Sequence, residues 1–131
     1  MPEILVIDDD TASRDLLAYL LRHAGYSVRT ASDGEFGILA MIDRAPDLVV
    51  CDCQMPRRNG LQVAGFMRNH ELLRDVPLVA VTAAARPADR ERALAAGFVR
   101  YVVKPFDPST IVSILEETLD AARRLNKTKR R

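Results

Sequence analysis

The chain has 131 residues, enough for one domain that hides roughly two-thirds of its unfolded surface and needs no disulfide or metal staple. Hydrophobic residues make up 48% and charged residues 28%, a mixture that excludes both a disordered chain and a membrane span. The net charge of +1 shows no global pull toward nucleic acid, yet it hides a polarity: Arg123 to Arg131 carry six bases and no acid, which leaves residues 1–122 with 13 bases against 18 acids, a body of −5.

Met1-Pro2-Glu3 runs directly into Ile4-Leu5-Val6-Ile7 without the basic, apolar and small-residue sections of an export signal, so the chain is expected to be cytoplasmic. Short apolar runs then alternate with helix-period segments, the pattern of a parallel sheet covered on both faces. The expected strands are Ile4 to Ile7, Ser27 to Ala31, Leu48 to Cys51, Leu78 to Val81 and Val99 to Val103. The first, third and fourth are continuously apolar and belong in the middle of the sheet, whereas Arg29 and Thr30 mark the second as an edge.

Between them, the first helix places Leu16, Leu17, Leu20, Leu21 and Ala24 on one stripe and closes at Gly25. The second starts near Asp33 and stops before Pro46, and the third runs from Leu61 to His70 with Leu61, Ala64 and Met67 inward. In the fourth, Pro87 to Ala96, Leu94 is the one large apolar residue, which predicts weak anchoring. The fifth begins with Asp107 as cap and Pro108 in the first turn and repeats Ile111, Ile114, Leu115 and Leu119. The organisation expected is one domain over 1–122 and a basic tail or linker stub over 123–131. Cys51 and Cys53, two apart on a strand, share a face and read as reduced thiols.

In an open parallel sheet the residues just past the carboxyl ends of the strands gather along one rim, where ligands bind. Here that rim receives Asp8-Asp9-Asp10, Asp52, Thr82 and Lys104-Pro105. Carboxylates about 4 Å apart at an effective dielectric of about 20 repel by about 4 kcal/mol per pair, so the cluster calls for a cation. Oxygen ligands without thiolate or imidazole favour Mg²⁺. Asp10 reads as a helix cap.

With Val6-Ile7-Asp8-Asp9-Asp10, Cys51-Asp52-Cys53-Gln54-Met55-Pro56 followed by Gly60, Val81-Thr82-Ala83 and Val103-Lys104-Pro105-Phe106 in order, the chain resembles a receiver domain of the two-component response regulators from Ile4 to about Ala122. The resemblance implies a flavodoxin-like doubly wound fold, a five-stranded parallel sheet in order 2-1-3-4-5 with helices on both faces. It implies that Asp52 accepts a phosphoryl group from a histidine kinase or histidine phosphotransfer protein. Asp9 and Asp52 would bind Mg²⁺ directly, Asp8 through water, and the Gln54 backbone carbonyl would complete the protein ligands. Lys104 would grip a phosphate oxygen, its bond to Pro105 being cis, and Thr82 would donate to the phosphoryl group. Tyr101 would switch with the following loop and so reshape the face of helix 4, strand 5 and helix 5, with a protein contact as output.

Such a module catalyses only its own phosphorylation and dephosphorylation, and exists as a monomer or a phosphorylation-dependent dimer. Without a recognition helix or stacking platform no direct nucleic-acid binding is assigned, nor any membrane contact. Arg57-Arg58-Asn59 departs from the family, which carries an apolar residue and an acid before the glycine. On an exposed loop the two arginines offset the acidic body, with acids on a donor protein as the alternative. An alternative function is a small Mg²⁺-dependent phosphatase with an aspartyl-phosphate intermediate, although 131 residues leave no room for a cap domain. A flavin or nucleotide site fails on charge, because Asp8-Asp9-Asp10 stands where glycines would cradle phosphate.

Overall fold

Strands and helices alternate along the chain in the order β1 Glu3–Ile7, α1 Thr11–His23, β2 Ser27–Ala31, α2 Gly34–Asp43, β3 Leu48–Cys51, α3 Gly60–Arg68, β4 Leu78–Thr82, α4 Pro87–Ala96, β5 Arg100–Val103 and α5 Pro108–Lys129. The computed structural model describes residues 2–55 and 57–129; Pro56 of the acceptor motif and Arg130 and Arg131 of the basic tail lie outside the described residues, as do the side chains of 127–129. All strand pairings are parallel and the order is β2-β1-β3-β4-β5, the doubly wound arrangement expected.

The apolar strands work because each alternates its side chains between two cores. Leu5 and Ile7 of β1, Val49 and Cys51 of β3 and Leu78 and Ala80 of β4 meet α2, α3 and α4 on one face. Ile4, Val6, Leu48, Val50, Val79 and Val81 meet α1 and α5 on the other, through Leu17, Leu21, Ile111, Leu115 and Leu119. Ile4 to Ile7, Leu48 to Cys51 and Leu78 to Val81 carry no polar side chain. The reversal of strand order at β1 and β3 opens the crevice above their carboxyl ends.

Sharp helix ends fix the loops on that rim. Asp10 caps α1, its Oδ2 accepting from the Ser13 N–H and from its hydroxyl. Asp33 caps α2, Asn59 and Gln62 form a reciprocal capping box on α3, and Asp107 caps α5 through the Thr110 N–H. After α1, Gly25 takes φ of 101°, the left-handed region that closes a helix without a Cβ penalty.

Several helix faces differ from the expected stripes. In α1 the buried residues are Leu17, Ala18 and Leu21, while Leu16 is 46% exposed and Ala24 lies at the surface. The helix lies on β1 and β2 along the Leu17–Leu21 line, which turns Leu16 over the rim into a shallow groove with Ala12, Ser13, Ala83, Lys104, Pro105 and Phe106. Leu61 likewise points outward, and Val63 takes its place beside Ala64 and Met67. In α4 the buried residue is Ala93, not Leu94, so the helix is anchored even more thinly than its sequence predicts. Val99 is exposed ahead of β5, and β4 runs one residue further, to Thr82. α5 continues past Leu119 into the basic stretch without a break.

Cys51 and Cys53 are both free and both pack toward the α2–α4 core, as their spacing predicts. Burial pushes the Cys53 thiol up to about 12 and holds that of Cys51 well above its ordinary value, so neither is a ready nucleophile at neutral pH. No described helix is long and apolar enough to cross a membrane.

Candidate functional site

Parallel register carries the acids to one place. The Asp8 N–H donates to the Ala31 carbonyl and the Asp52 N–H to the Ile7 carbonyl, which continues the ladders one residue past β1 and β3 and sets the two side chains side by side. Oxygens of Asp8, Asp9 and Asp52 all lie within 4.8 Å of one another. Asp8 and Asp52 are 5% and 7% exposed, whereas Asp9 opens to solvent. A backbone N–H steadies each buried carboxylate: that of Asp10 donates to Asp8 Oδ1 and that of Gln54 to Asp52 Oδ1, both at 2.9 Å.

Lys104 reaches into this cluster from the end of β5. Its ammonium donates to Asp8 Oδ2 at 2.7 Å and Asp52 Oδ2 at 3.1 Å, across 96 and 52 residues of sequence. The Lys104 N–H donates to the Thr82 carbonyl, and the Lys104–Pro105 bond is cis, as expected. Burial raises the Asp8 carboxyl above its ordinary range, and the Lys104 hydrogen bond offsets this only in part. For Lys104 burial acts to lower the ammonium, but its two carboxylate hydrogen bonds outweigh burial and leave it raised and charged. Three carboxylates thus face one ammonium among the described residues. The unbalanced charge, the all-oxygen donor set and the open side at Asp9 fit a hard divalent cation such as Mg²⁺.

Thr82 ends β4 fully buried, and its Oγ1 accepts from the Ala84 N–H at 3.3 Å. The Tyr101 hydroxyl donates to the Ala84 carbonyl from the other side, and burial pushes that hydroxyl's ionisation up, so it remains a donor. Thr82 and Tyr101 therefore meet the same residue of the β4–α4 loop. Asp8, Asp9, Asp52, Thr82 and Lys104 thus lie together on this rim, with Gln54 beside Asp52 and Tyr101 behind the loop that follows Thr82.

Sequence reasoning missed Arg14 and did not foresee the way in which Ala84 and Gly60 act. Arg14 of α1 donates to the Asp8 backbone carbonyl at 2.9 Å, and only its position four residues past the Asp10 cap hints that it faces the rim. Ala84 enters through its main chain, which no residue type announces. Gly60 brings α3 so close that a Cβ there would fall 2.8 Å from the Asp52 carbonyl oxygen and 2.7 Å from Cys53 Cα. The loop arginines offset the acidic body through specific partners, Arg57 being paired with Asp33 and Arg58 with Glu35 of this same chain.

An uncharacterised 14.6 kDa protein of Leptolyngbya boryana is 35% identical to the chain over 115 residues, 88% of each. The phosphate regulon transcriptional regulatory protein PhoB of Pseudomonas aeruginosa is 31% identical over 116 residues, 88% of this chain and 51% of that protein, so the chain spans about half the length of that regulator. Among solved structures, the receiver domain of a sensor histidine kinase of P. aeruginosa, with a magnesium ion coordinated in its active-site cleft, superposes with a TM-score of 0.84 at 31% identity, covering 91% of this chain and 98% of that one. Residues 4–116 match the model of the response regulator receiver domain, a span that runs from the first core residue of β1 well into α5 and holds the whole acidic rim, and the chain belongs to that family.

Proposed function

We propose that the chain takes a phosphoryl group onto Asp52 from the phosphohistidine of a histidine kinase or histidine phosphotransfer protein, and passes the signal on by a changed protein contact. The observation that carries this reading is the meeting of the Asp8, Asp9 and Asp52 carboxylates with the Lys104 ammonium at one point of the rim. In the transfer an Asp52 oxygen forms a bond to phosphorus as the P–N bond breaks, and the donor imidazole leaves with that electron pair. Asp52 is suited to this because the Gln54 N–H holds one oxygen while the other faces the crevice beside Lys104. Asp9 and Asp52 would hold Mg²⁺ directly, Asp8 through water, with the Gln54 carbonyl as a further ligand. Bound there, the ion supplies positive charge for the transferring oxygens. Lys104 supplies the second positive charge. Residues 1–122 form the phosphoacceptor unit in this reading, with 123–131 a basic extension or linker stub.

Intact-mass measurement after incubation with acetyl phosphate tests the proposal. The expected result is a gain of one phosphoryl group that requires Mg²⁺. No gain, or steady release of phosphate from unrelated monoesters, overturns it, the second result in favour of the phosphatase alternative.

Thr82 is the proposed trigger and Tyr101 the proposed relay. Drawing the Thr82 hydroxyl toward a phosphoryl group takes it from the Ala84 N–H, and Ala84 in turn holds Tyr101. α4, anchored by Ala93 alone among its buried residues, is cheap to move. Thr82→Ala is therefore expected to leave labelling of Asp52 intact while removing most of the phosphorylation-induced amide shift changes in α4 and at Tyr101. Wild-type shift changes in that variant would take Thr82 out of the relay.

A further inference from the structure

The loop between β3 and α3 bends at Arg57, whose φ of 61° makes it the one non-glycine residue with positive φ among the described residues. A side chain with Cβ enters that region at an energetic cost, so something must hold it there. Three contacts do, all to the start of α2. Arg57 Nε lies 3.5 Å from Asp33 Oδ2, its guanidinium carbon lies 5.2 Å from the centre of the Phe36 ring, and Arg58 Nε donates to Glu35 Oε2 at 2.8 Å. Asp33 is only 6% exposed and uses its other oxygen to cap α2, so the helix end and the loop share one carboxylate. Glycine at 34 makes room for this contact: a Cβ there would fall 2.0 Å from the Arg58 carbonyl oxygen.

We propose that Arg57 and Arg58 are positioning residues for the acceptor site. By latching onto α2 they hold the backbone of Gln54 and Met55 in the shape that lets the acidic pocket take a divalent cation and Asp52 take a phosphoryl group. Both ends of the loop are already fixed, since the Gly60 N–H donates to the Cys53 carbonyl and the Asn59–Gln62 box caps α3. Release of the left-handed bend is therefore taken up between those ends, where Gln54 and Met55 lie. The kinetic arm of this inference rests on Asp52 being the phosphoacceptor; the order of the loop and its cation affinity do not.

Five variants of the full chain test the latch: Arg57→Asn, which tolerates the left-handed bend but removes the guanidinium, then Arg58→Glu, Glu35→Arg, the swap Glu35→Arg/Arg58→Glu, and Gly34→Ala. Three measurements are made on each: amide exchange of Gln54, Met55 and Arg58 or its replacement in metal-free protein, Mg²⁺ affinity by amide-shift titration, and the rate of labelling by acetyl phosphate. Arg57→Asn and Arg58→Glu are each expected to speed exchange and to weaken Mg²⁺ binding about threefold, the size of a loosened exposed pair. The swap restores what Arg58→Glu loses. Gly34→Ala, which leaves all charges in place and wedges the loop from beneath, is expected to weaken Mg²⁺ binding in the same way. Wild-type exchange and Mg²⁺ affinity in Arg57→Asn and Arg58→Glu, or a swap that restores nothing, would overturn the latch. A wild-type protein that takes no phosphoryl group defeats the acceptor reading instead, and exchange and Mg²⁺ titration still decide the latch.

Discussion

Replacing Asp52 by asparagine is expected to abolish phosphoryl uptake and, in metal-free protein, to raise thermal stability. Asparagine keeps the shape of the side chain and an oxygen for the Gln54 N–H, so the end of β3 stays capped. What changes is charge. Asp52 stands 3.1 Å from one ammonium, but its oxygens lie within 4.8 Å of oxygens from two other carboxylates. At an effective dielectric of about 20 the two repulsions exceed the attraction by about 1–2 kcal/mol. At 7% exposure, solvent does little to screen them. Thermal unfolding without divalent cation should then show Tm higher by about 4–8 °C in the variant. Excess Mg²⁺ should reverse the order, because a ligand that binds only the folded state stabilises the protein that still holds its ligands. Conflict between stability and a charged site is the mark of a functional rather than structural residue. A variant that keeps phosphoryl uptake, or that melts earlier than wild type in the absence of metal, contradicts the assignment.

The strands were legible because Ile4 to Ile7 and Leu48 to Cys51 have no polar face, and a segment of that kind has one stable place, the middle of a parallel sheet. The rim was legible for the same reason: once the strands are parallel, Asp8, Asp52, Thr82 and Lys104 must all emerge on one side, however far apart they lie in sequence. Helix faces were harder. Leu16 fits an apolar repeat and Leu94 is the one large apolar residue of its helix, yet they end 46% and 40% exposed, because the arc a helix buries depends on how it lies on the sheet, a tertiary choice that the local pattern does not encode. Arg14, the hold of Ala84 on Tyr101 and the Arg57–Asp33 pair escaped for a related reason. Each acts through a contact with main chain or with a distant element, and nothing in the local residue pattern marks it.

Truncating Lys104 to alanine should act on stability in the opposite direction to Asp52→Asn, lowering it, while uptake falls in both. Its side chain is 15% exposed and its ammonium bridges two buried carboxylates, and loss of one partner from such a cluster leaves uncompensated charge worth about 3 kcal/mol. Removal of a positioned cation from the transferring oxygens should slow labelling by acetyl phosphate about 10²–10³-fold even in saturating Mg²⁺. The pH dependence has a defined sign. A lysine raised in the folded state contributes stability in full below its unfolded pKa, and that contribution disappears as pH rises through the folded value. Wild type and variant should therefore differ most at neutral pH and converge in strongly alkaline solution. On the acid side burial already raises Asp8, and loss of the Lys104 hydrogen bond raises it further. The folded variant then binds protons more readily than its unfolded chain, so its stability should rise as pH falls below neutral, more steeply than that of wild type. Urea denaturation of both proteins across the pH range measures this. Equal stability at neutral pH would show that the ammonium does not hold the carboxylates together without metal, and undiminished labelling would remove Lys104 from the transfer.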